Sequence, residues 1–328
     1  MKILLRISFA ILASFFPALV FAPAASACDY CLISQGISPL ETFSGDGLRV
    51  NQRYTRLTRV YNGTNRVKLD ASPKEEHWTT DVTGFYSIGD SVTILANAPY
   101  RKTRLDGHLH VHPDGTGEVH TDMKGAETGL GDVSVIGRYS FFKKHTLDGS
   151  ATVAGLIGIK LPTGKTDGRT DDGMDYLDSH LQLGSGSTDF LVGVSASRSA
   201  DRLTLSANVL GSIPTNGKAG AATHRFGNML NYDLTAKCRV SGNVSGASKP
   251  AVFLSLGVNG EARGREKEDG VTLANSGGHT VYLSPGVQAA AGRHWTLELA
   301  YQQAIYHNLY GTQIGEDFRT TGGVTYLF

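Results

Sequence analysis

The chain ends with Phe318-Arg-Thr-Thr-Gly-Gly-Val-Thr-Tyr-Leu-Phe328, and this stretch decides the fold. One set of alternate positions is mostly aromatic or apolar, comprising Phe318, Thr320, Val324, Tyr326 and Phe328. The other set is polar, comprising Asp317, Arg319, Thr321 and Thr325. A period of two predicts a β-strand with one apolar and one polar face that ends on an aromatic residue.

The amino-terminus has the pattern of an export signal. Lys2 and Arg6 precede an apolar stretch at residues 7–22, and Ala25-Ser26-Ala27 provides small residues for cleavage. The apolar stretch is too short for a transmembrane helix. We therefore predict a cleaved signal peptide over residues 1–27, with Cys28 as the first mature residue. Lipidation of Cys28 is an alternative that stays open.

The composition is typical of an exported β protein. The chain has 40 Gly and 10 Pro, which favour turns and strands. Removing Lys2 and Arg6 with the signal leaves 29 basic residues (31 minus two) against 30 acidic ones. The near-neutral balance leaves no excess of basic residues that would attract the phosphates of nucleic acid. We therefore expect no nucleic-acid partner.

Strand-like alternation recurs from Leu48 to the carboxy-terminus in about twelve segments, a number within the range of single-chain barrels. Short connections such as Gly89-Asp90 alternate with long ones such as Leu105–Gly129. Together with the predicted signal and the terminal Phe328, this alternation of short and long connections predicts an all-β fold. The predicted architecture is a transmembrane antiparallel β-barrel over residues 48–328, in the outer membrane of a Gram-negative bacterium. A soluble β-sandwich has the same alternation with its apolar face turned inward.

If the apolar face meets lipid, a charged set lines the lumen. A wet lumen with more Arg and Lys than Asp and Glu would favour anions, and a structural ladder of paired charges is the alternative. The predicted lining residues are Arg49, Arg53, Arg59, Asp81, Arg138, Lys160, Asp233, Lys237, Arg239, Glu261, Arg263 and Arg319.

Two short motifs suggest further chemistry. Cys28 and Cys31 form a C-x-x-C pair in a short periplasmic segment, residues 28–47, and predict a disulfide in an oxidising compartment. His108, His110 and His112 alternate, and would share one face of an extended strand as a site for zinc or copper. An ordinary polar loop is the alternative, and no cofactor is predicted.

Five motifs resemble one known family. They are Gly129-Leu-Gly-Asp-Val-Ser-Val-Ile-Gly-Arg-Tyr139, Gly158-Ile-Lys-Leu-Pro-Thr-Gly164, Leu183-Gly-Ser-Gly-Ser-Thr-Asp-Phe190, Asn275-Ser-Gly-Gly278 and Leu283-Ser-Pro-Gly-Val-Gln288. Their order resembles the outer-membrane family named for the MetA pathway of phenol degradation, over about Gly84 to Phe328. The resemblance implies an outer-membrane transporter and leaves the cargo open.

Three functions are compatible with these features. The main expectation is an outer-membrane channel or transporter for small molecules, either hydrophobic or aromatic compounds or small anions. A structural or adhesive barrel is the first alternative, and a barrel-borne lipase or protease is the second. The sequence shows no local signature that joins a nucleophile to a His, so we expect no enzyme. Expected partners are outer-membrane lipid and, through the carboxy-terminal strand, the barrel-assembly machinery.

Overall fold

The computed structural model describes residues 45–112, 115–146, 149–242 and 250–328. The predicted signal peptide and the Cys28–Cys31 pair lie outside these residues. The described chain is built from β-strands, namely β1 (Gly47–Gly63), β2 (Asn65–Val67), β3 (Lys74–Ile88), β4 (Val92–Val111), β5 (Gly117–Leu130), β6 (Ser134–Thr146), β7 (Gly149–Lys160), β8 (Asp189–Ala200), β9 (Leu203–Pro214), β10 (Gly217–Ala219), β11 (Ala222–Arg225), β12 (Met229–Ser241), β13 (Ala251–Arg263), β14 (Lys267–Glu268), β15 (Val271–Thr272), β16 (Gly278–Ala291) and β17 (Trp295–Leu327).

Thirteen of these strands form one antiparallel sheet that closes on itself, because β17 pairs with β16 on one side and with β1 on the other. β2 and β5 pair on one side only, which leaves eleven strands in the ring. The predicted antiparallel β-barrel is confirmed.

The last strand, β17, is a hairpin that crosses the wall twice. Its first leg, Trp295 to Leu309, pairs with β16, and its second leg pairs with β1. The legs lie side by side, since Leu327 N–H donates to His294 O at 2.8 Å and Gln303 Nε2 donates to Asp317 O at 2.9 Å. Gly311 makes the reversal at φ +66°, in the left-handed region that glycine tolerates. With both legs counted, twelve segments cross the described wall, as predicted.

One predicted loop is mostly strand. Residues 105–129 were expected to be a long connection, but β4 continues to Val111 and pairs with β5 from Gly117 to Leu130. After a break at residues 131–133, β6 continues in the same direction and pairs with the first part of β4. The alternation in this stretch was hidden by its polar residues and by a bulge at Gly107, which has φ +86°.

The wall is polar inside and apolar outside. On β1, Arg49 and Arg53 are 2% exposed, whereas the intervening Val50 is 42% exposed. A soluble protein would reverse this order, so the pattern rules out the sandwich alternative and fits a wall that faces lipid. The exposed apolar belt includes Leu48, Val82, Ile94, Val135, Ile157, Val192, Leu205, Leu234, Leu254, Leu283 and Leu297.

The two ends of the barrel differ. One end, here the turn end, carries the short turns that join β3 to β4, β8 to β9 and β16 to β17. The other end, here the loop end, carries the long connections, among them residues 161–188 between β7 and β8. Two of the loops join in a four-stranded sheet of β10, β11, β14 and β15.

Helix is nearly absent from the part of the chain that the structure describes. A single 3-10 turn at Ser179–Leu181 lies within the connection from β7 to β8. None of the described residues forms a helix of the length and apolar character needed to cross a bilayer.

Candidate functional site

The barrel interior holds most of the charged residues that were predicted to line it. Arg239 is only partly buried, and Arg59 is exposed because bulges in the pairing of β1 with β17 interrupt the alternation before it. The Arg59 Nε atom lies 3.2 Å from Asp317 Oδ1. The remaining ten are buried: Arg49, Arg53, Asp81, Arg138, Lys160, Asp233, Lys237, Glu261, Arg263 and Arg319.

Several of these interior charges are paired, some across strands and some within one strand. Arg319 donates to Glu316 Oε1 at 2.6 Å and to Glu261 Oε2 at 3.2 Å. Glu261 also accepts from Arg263 at 3.1 Å, and Arg49 pairs with Glu298. Pairing offsets much of the cost of removing these charges from water. It also reduces the positive field that the excess of Arg and Lys would otherwise produce.

A second cluster is centred on Lys160, at the end of β7. Its Nζ atom lies 2.8 Å from Asp189 Oδ2 and 3.4 Å from Asp132 Oδ2, and it donates to Ser185 Oγ at 2.7 Å. Ser185 in turn donates to Asp132 Oδ2 through both its N–H and its hydroxyl. The cluster therefore ties the wall to the loop that contains Ser185.

This loop folds into the barrel, and its residues 179–187 are named here the plug segment. Arg101 Nη1, from β4, donates to the carbonyls of Gln182 and Leu183 at 3.0 and 2.9 Å. Thr103 donates to the Leu181 carbonyl at 2.8 Å. The Gln182 side chain, fully buried, bonds to the N–H and the carbonyl of Gly168. The plug segment is thus held by buried hydrogen bonds along most of its length.

Among the cavities that the described residues form, two lie next to the plug segment. The smaller, of about 50 Å³, is lined by Arg53, Asp81, Arg101, Lys160 and Asp189, among others. The larger, of about 520 Å³ and named here the vestibule, is lined by Tyr176 to His180 and by residues of β1, β4 and the loops. The chain passes from the vestibule at His180 to the small cavity at Asp189, so the plug segment lies between them. The vestibule has the volume of a small-molecule site.

An apolar cluster closes the small cavity on another side. Leu191 and Leu210 line that cavity and pack with Phe85, Leu95, Ile136 and Leu156, all of them buried, and with the partly buried Leu327 near the carboxy-terminus. The polar lumen predicted from the sequence does not account for these inward-facing apolar side chains. Three of them, Phe85, Leu95 and Ile136, are each two positions from an inward-facing polar residue on the same strand, so the alternation could have predicted their direction.

His180 joins the plug segment to the wall. Its Nε2 atom lies 3.2 Å from both carboxylate oxygens of Glu75 on β3. Burial alone would lower the pKa of His180, but the charge of Glu75 and its hydrogen bonds outweigh it, and Asp178 and Glu266 add to the effect, so the pKa rises to about 9. The imidazole is therefore protonated at neutral pH and forms an ion pair.

The predicted histidine set is brought together only in part, since the rings of His110 and His112 are in contact whereas His108 faces Asp178. His108 Nδ1 lies 3.4 Å from Asp178 Oδ2, whereas the His110 ring lies 5.1 Å from that of His112 and 5.5 Å from that of His120. In the described parts of the chain, no three His, Cys, Asp or Glu side chains form a group that could hold a metal ion. Zinc or copper binding by these side chains stays a sequence-based prediction.

The sequence motifs converge in space. Asp132 comes from the first motif, Lys160 and Gly164 from the second, and Ser185 and Asp189 from the third. Asp132 Oδ1 accepts from Gly164 N–H at 3.0 Å, which completes the set of contacts around it. These three motifs therefore build one structure, the junction of the plug segment with the wall. Their polar residues Ser185 and Asp189 were not predicted to face the lumen, whereas Lys160 was.

The fold is similar to that of solved outer-membrane barrels. The COG4313 outer membrane channel from Pseudomonas putida F1 matches with a TM-score of 0.63 and 12% identity, over 89% of this chain and 100% of that one. The transport unit of the autotransporter AIDA-I from Escherichia coli matches at 0.47 and 9%, over 89% and 93%. A Pseudomonas aeruginosa FadL homologue matches at 0.43 and 9%, over 94% and 100%.

At 12% identity, the first of these similarities establishes the fold and not the activity. No protein-family model matches the chain, and no curated protein matches it significantly. The class that fold and surface define is the transmembrane β-barrel.

Proposed function

We propose that the protein is an outer-membrane channel or transporter for small molecules, seen here with its passage occluded. The observation that carries the proposal is the plug segment, a loop folded inside the barrel between a vestibule of about 520 Å³ and a cavity of about 50 Å³. A barrel with a purely structural role has no need of a formed cavity of this size. The similarity in fold to a protein described as an outer membrane channel supports the same function.

The finer identity is proposed from the motifs. Three of the five motifs that resemble the family named for the MetA pathway of phenol degradation meet at Asp132, Lys160 and Ser185. The shared junction supports the interpretation of these three motifs as parts of one structural unit. We assign the protein to that kind of transporter, with hydrophobic or aromatic compounds as candidate cargo.

Location and assembly follow from the same proposal. The segment 1–27 directs export, the apolar belt contacts outer-membrane lipid, and the aromatic carboxy-terminus addresses the barrel-assembly machinery. The loop end then faces the outside of the cell and the turn end the periplasm, as in barrels with short periplasmic turns. The anion preference expected from the Arg and Lys excess stays a prediction, since many of these charges are paired.

Planar-bilayer recording of purified protein tests the transport function. The variant Asp132→Asn weakens the acceptor for Ser185 and Gly164 and removes a charge beside Lys160. We expect rare openings for the wild type and more frequent or longer ones for the variant. Asp90→Asn, at a turn on the opposite end, serves as the matched control and should behave as the wild type.

The outcome that would overturn the proposal is equally specific. If both proteins migrate as folded, heat-modifiable barrels and neither conducts in the bilayer nor admits small solutes into proteoliposomes, the barrel is not a channel. An Asp132→Asn variant that conducts no more than the Asp90→Asn variant would show that the plug segment is not the barrier.

A further inference from the structure

The outer face of the barrel carries a row of aromatic side chains where the apolar belt ends toward the loop end. Trp78 lies four residues beyond Val82, the belt residue of β3, and pairs in register with Tyr54 on β1 and Lys102 on β4. The centre of the Tyr54 ring lies 5.2 Å from that of Trp78 and 6.0 Å from that of Phe318 on β17. Outer-membrane barrels have aromatic girdles at both interfaces, so this row marks the level at which hydrocarbon ends.

Cations occupy the outward positions at this level and in the next row. Arg104 on β4 pairs in register with Glu76 on β3, which pairs with Arg56 on β1. This row lies two residues, about 6.6 Å, nearer to the loop end than the aromatic row. Arg56, Lys102 and Arg104 are exposed, whereas Thr103, between two of them, is buried and faces inward. These three cations are named here the basic patch.

Glu76 does little to neutralise the basic patch. It lies between the two arginines, but both of its carboxylate oxygens already have partners. One accepts from the Tyr54 hydroxyl at 2.6 Å, and the other lies 3.0 Å from Lys74 Nζ. Lys74 therefore offsets the charge of this carboxylate, and the charges of the two arginines remain largely uncompensated.

The other contacts of the basic patch leave its charge in place. Within the described parts of the chain it forms one ion pair, a long one of 4.0 Å between Arg56 Nε and Asp317 Oδ2. Asp317 lies nearer to Arg59, whose Nε is 3.2 Å from its Oδ1. Lys102 Nζ lies over the Trp78 ring, 5.5 Å from its centre, and a ring face does not neutralise an ammonium group. The patch therefore presents positive charge to the membrane surface.

The basic patch is confined to one side of the barrel. On β7, β8, β9 and β12, the outward residues nearest the loop end are Ile159, Phe190, Ile213 and Leu230, and none of them is charged. General attraction to an anionic membrane surface needs no such concentration of charge on three neighbouring strands. A site for one anionic head group does.

We propose that the basic patch and the aromatic row bind lipid A, the phosphorylated glycolipid of the outer leaflet, with Arg56, Lys102 and Arg104 on its phosphate groups and Tyr54 and Trp78 against its acyl chains. Charge and depth both match, because the phosphates of this lipid lie just beyond the hydrocarbon. Arginine is suited to phosphate, since its guanidinium donates two parallel hydrogen bonds. The site rests on the proposed orientation, with the loop end outside the cell, and does not depend on transport.

Lipid binding to the mature chain, refolded in detergent and therefore free of cellular lipid, tests the inference. Native mass spectrometry in the presence of EDTA should rank diphosphoryl lipid A first, monophosphoryl lipid A second and phosphatidylethanolamine last. The double variant Lys102→Gln, Arg104→Gln should weaken diphosphoryl lipid A about ten- to thirtyfold, as expected for two cations near a membrane surface. The exchange Lys102→Arg, Arg104→Lys keeps both charges and should keep most of the affinity.

The double variant Lys143→Gln, Lys144→Gln is the matched control, since it removes two exposed cations of β6 near the turn end. It should leave the affinity for all three lipids unchanged, and heat-modifiable migration checks that every variant is folded. The inference is overturned if this control loses as much affinity as the Lys102 and Arg104 variant, or if lipid A binds the wild type no better than phosphatidylethanolamine.

Failure of the lipid site is separable from failure of the transport function. A protein that conducts in planar bilayers but does not prefer lipid A removes the lipid site alone. A protein that binds lipid A through the basic patch but neither conducts nor admits solutes removes transport alone.

Discussion

The Asp132 carboxylate accepts two hydrogen bonds from Ser185, one from its N–H at 2.8 Å and one from its hydroxyl at 2.6 Å. Asp132 lies in the break between β5 and β6, where the wall is irregular, and Ser185 lies in the plug segment. Both residues are buried. Hydrogen bonds to a charged acceptor contribute about 1.5–3 kcal/mol, so this contact is a main anchor of the plug segment.

The first prediction concerns the backbone contact beside this anchor. A Cβ atom at Gly184 would lie 2.4 Å from the Gly164 carbonyl oxygen, so a side chain there forces the two segments apart. We expect Gly184→Ala to destabilise the plug segment by about 1–3 kcal/mol and to increase channel opening in planar bilayers.

Gly84→Ala is the matched control for Gly184→Ala, because no atom lies within 4 Å of the added methyl group. It should leave both the opening and the thermal unfolding unchanged. Equal opening in the two variants would show that the contact between Gly164 and Gly184 does not hold the plug segment.

The second prediction concerns the pH dependence of opening. The pKa of His180 is about 9, above its ordinary value of 6.5, so the imidazole stabilises the closed arrangement fully below about 6.5 and loses that contribution as pH rises through about 9. Opening in bilayers should therefore increase between pH 7 and pH 10. His180→Gln should open more at pH 7 and lose most of this dependence.

The third prediction concerns Glu266, in the connection after β13. His224 and Arg263 hold the pKa of Glu266 below its usual value against the effect of burial, which would raise it. Glu266 therefore stabilises the folded loop end above its unfolded pKa, and the contribution is lost as pH falls through the lower, folded value. The temperature of thermal unfolding should fall in acid below about pH 4.5, and Glu266→Gln should lessen that fall.

The fourth prediction tests the outer face. Ile157, on β7, is 73% exposed in the apolar belt, and Met174, in the connection after β7, is 75% exposed outside it. Ile157→Arg should lower the free energy of unfolding in lipid vesicles by about 2–4 kcal/mol, since a cation then faces hydrocarbon. Met174→Arg should change it little. Similar losses in the two variants would contradict the assignment of the lipid-facing surface.

The fifth prediction concerns assembly. Phe328 is 76% exposed, and its N–H donates to the Asp46 carbonyl at 2.9 Å beside the first strand. Deleting Phe328 should lower the yield of folded protein in the outer membrane, measured by heat-modifiable migration. Phe328→Trp keeps an aromatic terminus and should assemble normally, and an undiminished yield from the deletion would count against recognition of the terminal residue.

The sequence by itself determined the class of fold. Alternation of residues such as Arg49, Val50 and Arg53 has a period of two, which predicts strands with one polar and one apolar face. These features are local, so they can be read without knowing which strands are neighbours. The number of wall crossings was predicted for the same reason, because each crossing is a separate alternating segment.

Only the tertiary structure decided what fills the barrel. Asp132, Lys160 and Ser185 meet because the connection after β7 turns inward, and no local pattern encodes the direction in which a long loop folds. The strand character of residues 117–130 depended on pairing with β4, and the exposure of Arg59 depended on bulges opposite β17. The vestibule arises from side chains of distant segments, whose proximity is fixed by strand register and loop packing rather than by their order in the chain.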